Sequence, residues 1–191
     1  MDGSNAQLTN ELVAARNGIS ANHISFSMLK SMHCSLKDNI PEGIQVFGEW
    51  LYAKHSIEYT DEISLDSFFQ IFSVYDQEKQ IFSSWEDVEN MAETLGVPTV
   101  PILEKGKCYK YAWELEARIC ELANDVISIG HEGLVIRSMY PFPYGSFEGY
   151  NITSDKITWT IAPIAKFVRS DHIQTDANWS RQPINRNKLK S

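Results

Sequence analysis

The sequence predicts an α+β protein, with antiparallel sheets flanked by helices. Three observations carry that expectation. Runs rich in aromatic and β-branched residues, "IQVFGEWLYAKHSIEY", "SFFQIFSVYD", "GLVIRSMY" and "KITWTIAPIAKFVR", read as strands in the middle and the C-terminal third. Two other stretches carry helical spacing or helix start and stop signals. Strands dominate, with helices between them, which suits antiparallel sheets with flanking helices.

The elements follow in order. "SNAQLTNELVAARNG" alternates loosely and ends on Asn17-Gly18, a hairpin signal. A helix is expected around residues 26 to 37. "IQVFGEW" opens a strand, "SFFQIFSVYD" forms a second and "QIF" starts a short third. Ser83 and Glu86 make a capping-box pattern ahead of "DVENMAETLG", so a helix runs to about Leu95 and stops at Gly96. "VPTVPIL" is extended and bounded by prolines. "KYAWELEARICELANDVI" places Ala112, Leu115, Ile119 and Leu122 at helical spacing, which makes a second amphipathic helix. "GLVIRSMY" is a strand, "PFPYGSFEGYN" a loop, and the strand region "KITWTIAPIAKFVR" is bent or split at Pro163. The expected domain spans 1–170, and 171–191 is a basic tail with Arg181, Arg186, Lys188 and Lys190.

Composition narrows the function classes. The 191 residues are 43% hydrophobic, enough for a core, and the net charge of −8 argues against a uniformly basic nucleic-acid coat while leaving room for a local basic groove. Cys34, Cys108 and Cys120 form no close pair, which fits a reducing compartment and no zinc site. No apolar run reaches the roughly 18 residues of a membrane helix. A cytoplasmic protein with no membrane partner is expected.

Three segments carry charge inside apolar strands. "VFGEW" holds Glu49 after Gly48. "HEGLVIR" starts a strand with Glu132 and Gly133 and reaches Arg137. "IAKFVR" holds Lys166 and Arg169. A charge in such a strand is costly unless it is paired or used. Taken alone, each also suits an edge strand that resists aggregation. Together, two acids and a cation have the chemistry to hold a divalent metal and a phosphate.

In order along the chain, Asp2-Gly3, Phe47-Gly48-Glu49, the strand ending in Phe72, Glu132-Gly133-Leu134-Val135-Ile136-Arg137 and Ala165-Lys166-Phe167-Val168-Arg169 resemble the collinear motifs of the covalent nucleotidyltransferases. These comprise ATP-dependent RNA ligases, DNA ligases and RNA capping enzymes, and the resemblance is greatest to the RNA ligases. It implies a nucleotidyltransferase fold, ATP-grasp-like, and an adenylyltransferase domain over 1–170. It implies ATP and Mg²⁺ (or Mn²⁺) as cofactors and RNA ends as partners, with RNA repair as the setting. In that family a lysine amine attacks the α-phosphate of ATP and releases pyrophosphate. The adenylate then passes to an RNA 5′-phosphate, and a 3′-hydroxyl displaces AMP.

The resemblance also assigns roles. Glu49 would contact the ribose or help organise the metal. Glu132 would bind the metal, directly or through water. Lys166 would neutralise the α-phosphate. Phe72 would stack on the adenine, with Phe69 as the alternative ring. Asp2 and Gly3 belong to the nucleotide-binding first motif, and Arg16 matches an arginine that touches the phosphate or the incoming strand. Arg137 and Arg169 are further nucleotide-binding candidates, Arg169 as a replacement for the second lysine that the fifth motif often has. Ser73 stands where RNA ligases often have Asp. The first motif is Lys-x-Asp-Gly, and Asp2 is preceded here by Met1 alone, with Lys30 the first lysine. The expectation is therefore a chain that starts just after its nucleophilic lysine, lacks its first strand or strands and is inactive as it stands. The same motifs also suit a non-catalytic nucleotide- or RNA-end-binding remnant, or a capping-type RNA guanylyltransferase.

Overall fold

The computed structural model describes residues 1–16, 21–55, 57, 59, 65–106, 109–145, 152–153, 156–157, 163–168 and 183–190. Ten strands and three α-helices are described: β1 (Ser4–Leu8), β2 (Val13–Ala15), α1 (Ser27–Leu36), β3 (Ile44–Trp50), β4 (Phe69–Asp76), β5 (Ile81–Phe82), α2 (Trp85–Leu95), α3 (Ala112–Ser128), β6 (Gly133–Arg137), β7 (Phe142–Pro143), β8 (Ile152–Thr153), β9 (Lys156–Ile157) and β10 (Ile164–Val168). The largest sheet has six strands in the order β2-β1-β3-β4-β5-β7, and two-stranded sheets pair β10 with β6 and β8 with β9. Every pairing between these strands is antiparallel, as expected.

The hairpin of β1 and β2 turns at Thr9, whose amide donates to the Leu12 carbonyl at 3.0 Å. Asn17-Gly18, where the sequence signals a hairpin, lies outside the described residues. The Thr9 hydroxyl accepts from the amides of Glu11 and Leu12, so a local side-chain cap holds this turn without glycine. The buried His33 of α1 donates to the Thr9 carbonyl at 2.6 Å and ties the helix to the hairpin.

Helix α2 starts one residue later than the Ser83–Glu86 pattern predicts. Ser84 is the N-cap and Asp87 completes the capping box. Both spacings satisfy the motif, and burial of Trp85 as the first helical residue selects the later one. Gly96 ends the helix with φ of 63°, a left-handed conformation that glycine adopts without a Cβ penalty. The following "VPTV" is extended and bridges Ile71 through Thr99.

The core lies between one face of the six-stranded sheet and the apolar faces of α1 and α2. It gathers Ala6, Leu8, Leu29, Val46, Trp50, Phe69, Ile71, Val74, Val88 and Leu95. Strict alternation along β4 cannot bury Phe69, Ile71 and Val74 together. The register supplies the reason: Phe47 pairs with Ser73 and Gly48 with Ile71, so Phe72 is an extra residue in a β-bulge. Gly48 is required beside it, because a Cβ there would meet the Phe69 ring and stand 2.7 Å from the Gln70 carbonyl oxygen.

Helix α3 forms where the spacing predicts it. Ala123 and Val126 are buried, while Ala112 and Leu115 are exposed. The helix packs through its C-terminal half, close to β6, so the face Ala112-Leu115-Ile119-Leu122 does not form a continuous buried stripe. The described part of the C-terminal segment docks on the domain. Asn187 is buried and its Nδ2 donates to the Leu51 carbonyl at 2.8 Å, while the Lys54 amide donates to the Asn185 carbonyl.

Candidate active site

Directly opposed residues of antiparallel strands project to the same face of a sheet. The face opposite the core is therefore readable from the register. Asn5, Glu49 and Gln70 form one row across β1, β3 and β4, and Gln7, Phe47 and Ser73 form the next. Alternation alone puts polar groups here. Gln70 and Ser73 are nonetheless buried, and the Ser73 hydroxyl has no hydrogen-bond partner among the described residues.

Glu49 leads this face. Its Oε1 accepts from the Gly3 amide at 2.8 Å. Burial pushes its carboxyl above the usual glutamate value, and the Gly3 amide opposes that by favouring the ionised form. Gly3 has no room for a side chain, since a Cβ would stand 2.5 Å from the Trp50 carbonyl oxygen. The Asp2 amide donates to the Tyr59 hydroxyl at 3.0 Å, and an Asp2 carboxylate oxygen lies 3.6 Å from His55 Nδ1. Burial raises the Tyr59 phenol well above its usual range, with Asp2, Glu49 and Glu132 adding to the shift, so it stays protonated.

The second half of the site comes from the antiparallel β6–β10 pair. Lys166 Nζ donates to Glu132 Oε1 at 3.0 Å, with the lysine 57% exposed and the glutamate 15%. Gly133 allows the two strands to pair closely, because a Cβ there would collide with the Phe167 carbonyl oxygen. The two halves meet around Met1. Burial lowers its α-amine below the ordinary value. Glu49, Glu132 and Asp2 oppose that shift, and Lys166 reinforces it.

Sequence reading and structure can be compared residue by residue. Gly3 meets Glu49, Lys166 meets Glu132, and the charges of Asp2, Glu49, Glu132 and Lys166 all act on the Met1 α-amine. Phe72 is half-buried at the bulge of β4. Phe69, the alternative ring, is fully buried beneath Gly48, so no base can stack on it. Arg16 is exposed just past the end of β2, at the sheet edge, and touches none of these side chains. Arg137 is not among the clustered groups. Its guanidinium donates to the carbonyls of Phe72 at 2.7 Å, Ser83 at 2.9 Å and Ser138 at 3.3 Å. Arg169 lies outside the described residues. Sequence reasoning did not single out Tyr59, which lies far from Asp2 in the chain within no periodic pattern.

Glu49 and Glu132 offer hard oxygen donors. Among the described residues, no group of three or more His, Cys, Asp or Glu side chains is poised to hold a metal ion. Two carboxylates fit a divalent cation such as Mg²⁺, which keeps several waters and shares phosphate oxygens. Lys166 beside Glu132 suits an anionic substrate.

The family model for RNA ligases matches residues 1–155. No curated protein matches the chain. Among solved structures, one form of an archaeal ATP-dependent RNA ligase is similar with a TM-score of 0.54 and 13% identity, over 90% of this chain and 41% of that one. A second form gives 0.51 and 14% over the same shares. The chain thus spans well under half the length of these ligases. Their shared fold, a nucleotidyltransferase fold, is the one expected from the sequence.

Proposed function

This chain belongs to the RNA ligase family, and we propose that it binds ATP with Mg²⁺ (or Mn²⁺) and serves ATP-dependent joining of RNA 5′-phosphate and 3′-hydroxyl ends. One observation carries the reading. Glu49 holds Gly3, Lys166 pairs with Glu132, and the charges of all three act on the Met1 α-amine. A charge set that converges from distant strands suits binding an external charged group better than it suits stability.

In this reading Lys166 stabilises the negative charge that builds on the α-phosphate during transfer. Glu49 and Glu132 hold the cation, which would supply Lewis-acid stabilisation of the phosphates. Phe72 stacks on the adenine, worth roughly 1–3 kcal/mol per base. Asp2 and Gly3, held by Tyr59 and Glu49, orient the segment that bears the nucleophile in the family motif. Asp2 and Gly3 therefore contribute geometry rather than chemistry. RNA repair in the cytoplasm is the proposed setting, a compartment supported by the unpaired cysteine pattern.

The first lysine among these 191 residues is Lys30, outside any Lys-x-Asp-Gly context. We therefore expect the chain to bind ATP without forming an acid-stable AMP adduct. Extending it by one lysine directly ahead of Met1 restores the motif spacing and is expected to permit labelling. Incubation of both forms with α-labelled ATP or GTP and Mg²⁺ tests this. Labelling of the extended form by ATP supports the ligase reading. Preferential labelling by GTP would assign a capping-type guanylyltransferase instead. Absence of ATP binding in both forms would overturn the proposal.

A further inference from the structure

Arg137 is the most heavily engaged cation among the described residues, and none of its partners is a carboxylate. It stands at the end of β6, five residues beyond Glu132, and is half-buried. Its NH1 donates to the Phe72 carbonyl at 2.7 Å and its NH2 to the Ser83 carbonyl at 2.9 Å, across 65 and 54 residues of chain. The guanidinium lies over the Trp85 ring at 5.2 Å and the Phe142 ring at 5.6 Å. Burial without a counter-ion pulls its pKa down to about 10. A cation in such a place is retained at a cost, which main-chain carbonyls and ring faces offset in part.

The place of the grip is informative. Phe72 is the extra residue of the β4 bulge, so its backbone is not held by the regular ladder with β3. A bulge re-aims a side chain, but an unpaired residue needs another anchor to hold that aim. Arg137 provides the anchor at the Phe72 carbonyl. The same side chain ends the strand that begins beside Glu132. A planar fork that binds two carbonyls at once fixes distance and angle together, which a lysine cannot do.

We propose that Arg137 is a positioning residue for nucleotide binding: its fork, closed on the carbonyls of Phe72 and Ser83, holds the Phe72 ring in register with the Glu132–Lys166 pair. This rests on the reading above, in which Phe72 receives the base and Lys166 the phosphates. Arg137 touches neither. It sets the separation between the two places that do.

The test compares ATP with inorganic tripolyphosphate, which lacks the base, by calorimetric titration in Mg²⁺ buffer. Arg137→Gln is expected to weaken ATP about 10-fold and to leave tripolyphosphate within about 2-fold. Phe72→Ala is expected to weaken ATP about 10-fold through lost stacking. The double variant should match Phe72→Ala alone, because the fork then has no ring to hold. Arg137→Lys keeps the charge and covers the case in which Arg137→Gln does not fold. It should weaken ATP about 3-fold with tripolyphosphate unchanged, since one ammonium cannot close on both carbonyls. Equal losses for ATP and tripolyphosphate, or additive losses in the double variant, would overturn the positioning role and make Arg137 a general stabiliser. If the native chain binds tripolyphosphate but not ATP, or neither, the nucleotide-site reading itself fails, and this role with it.

Discussion

Glu49 is held between stability and use. Its carboxyl is buried and its proton affinity raised. A raised folded value means that the folded state binds the proton more tightly than the unfolded chain does. The group thus favours folding below the ordinary glutamate range and withdraws that contribution as pH climbs through its raised value. Glu49→Gln removes the ionisation and keeps an oxygen for the Gly3 amide. Its melting temperature should exceed the native one near pH 7 by about 2–4 °C, the scale of 1 kcal/mol in a chain of this size. The gap should close towards about pH 4, where the native carboxyl is protonated. ATP affinity should fall in the same variant. Melts across pH check this, and a variant less stable than the native chain near neutral pH would contradict it. Lys166 gives the opposite separation. Its pair with Glu132 is more than half exposed on the lysine side, and such pairs contribute about 0–1 kcal/mol. Lys166→Met should leave the melt nearly unchanged while it weakens ATP and tripolyphosphate alike. The identities of Glu49, Glu132 and Lys166 were legible in the sequence, because a charge in an apolar strand is a local anomaly. Tyr59 was not legible, because its only distinction is a hydrogen bond to Asp2 across 57 residues.

At the scale of elements, glycines and caps decide how strands approach one another. Gly133→Ala would drive a Cβ into the Phe167 carbonyl and force β10 away from β6. It should separate Lys166 from Glu132, lower the melting temperature and weaken tripolyphosphate, with losses typical of overpacking, about 1–3 kcal/mol. A variant with native tripolyphosphate affinity would show that the β6–β10 pair absorbs the side chain. Ser84→Ala should cost about 1 kcal/mol through the lost cap of α2, whereas Ser83→Ala should cost little, since Ser83 meets Arg137 only through its carbonyl. Paired melts of these two variants discriminate between the two capping frames, which sequence alone leaves equivalent. Most strands were legible from aromatic and β-branched content, but Phe142–Pro143, within the segment read as a loop, forms β7 at the edge of the main sheet. The bulge at Phe72 was not legible. Alternation in "FFQIFSVYD" assigns Ser73 to the core, and only pairing with β3 moves Val74 there instead. Helix α3 was legible as a helix, but which of its residues are buried was not: Ala123 and Val126 are buried, Ile119 and Leu122 partly so.

Across the whole molecule, the C-terminal segment closes onto the loop after β3. Asn187 is buried, and its amide side chain donates to the Leu51 carbonyl. Removing it with Asn187→Ala leaves a buried acceptor short of a donor, at about 1–3 kcal/mol. The variant should become susceptible to proteolysis near residues 51–55 and at the C-terminal segment together. Cleavage confined to the C-terminal segment would show that this strap does not stabilise the loop. The same loop leads to His55, which faces Asp2, so damage here should also reach the nucleotide site. The sequence by itself determined the α+β class, the order of strands and helices, and which charged residues stand where charge is costly. These are properties of composition and of periods within a few residues, so they survive without knowledge of neighbours. Only the tertiary structure decided that Glu49 holds Gly3 across 46 residues and Lys166 meets Glu132 across 34. It also placed the Arg137 guanidinium on the carbonyls of Phe72 and Ser83. Those outcomes depend on register, on one bulge and on close approaches that glycine permits. Each is a collective result of non-local pairing, and no local window of the chain contains it.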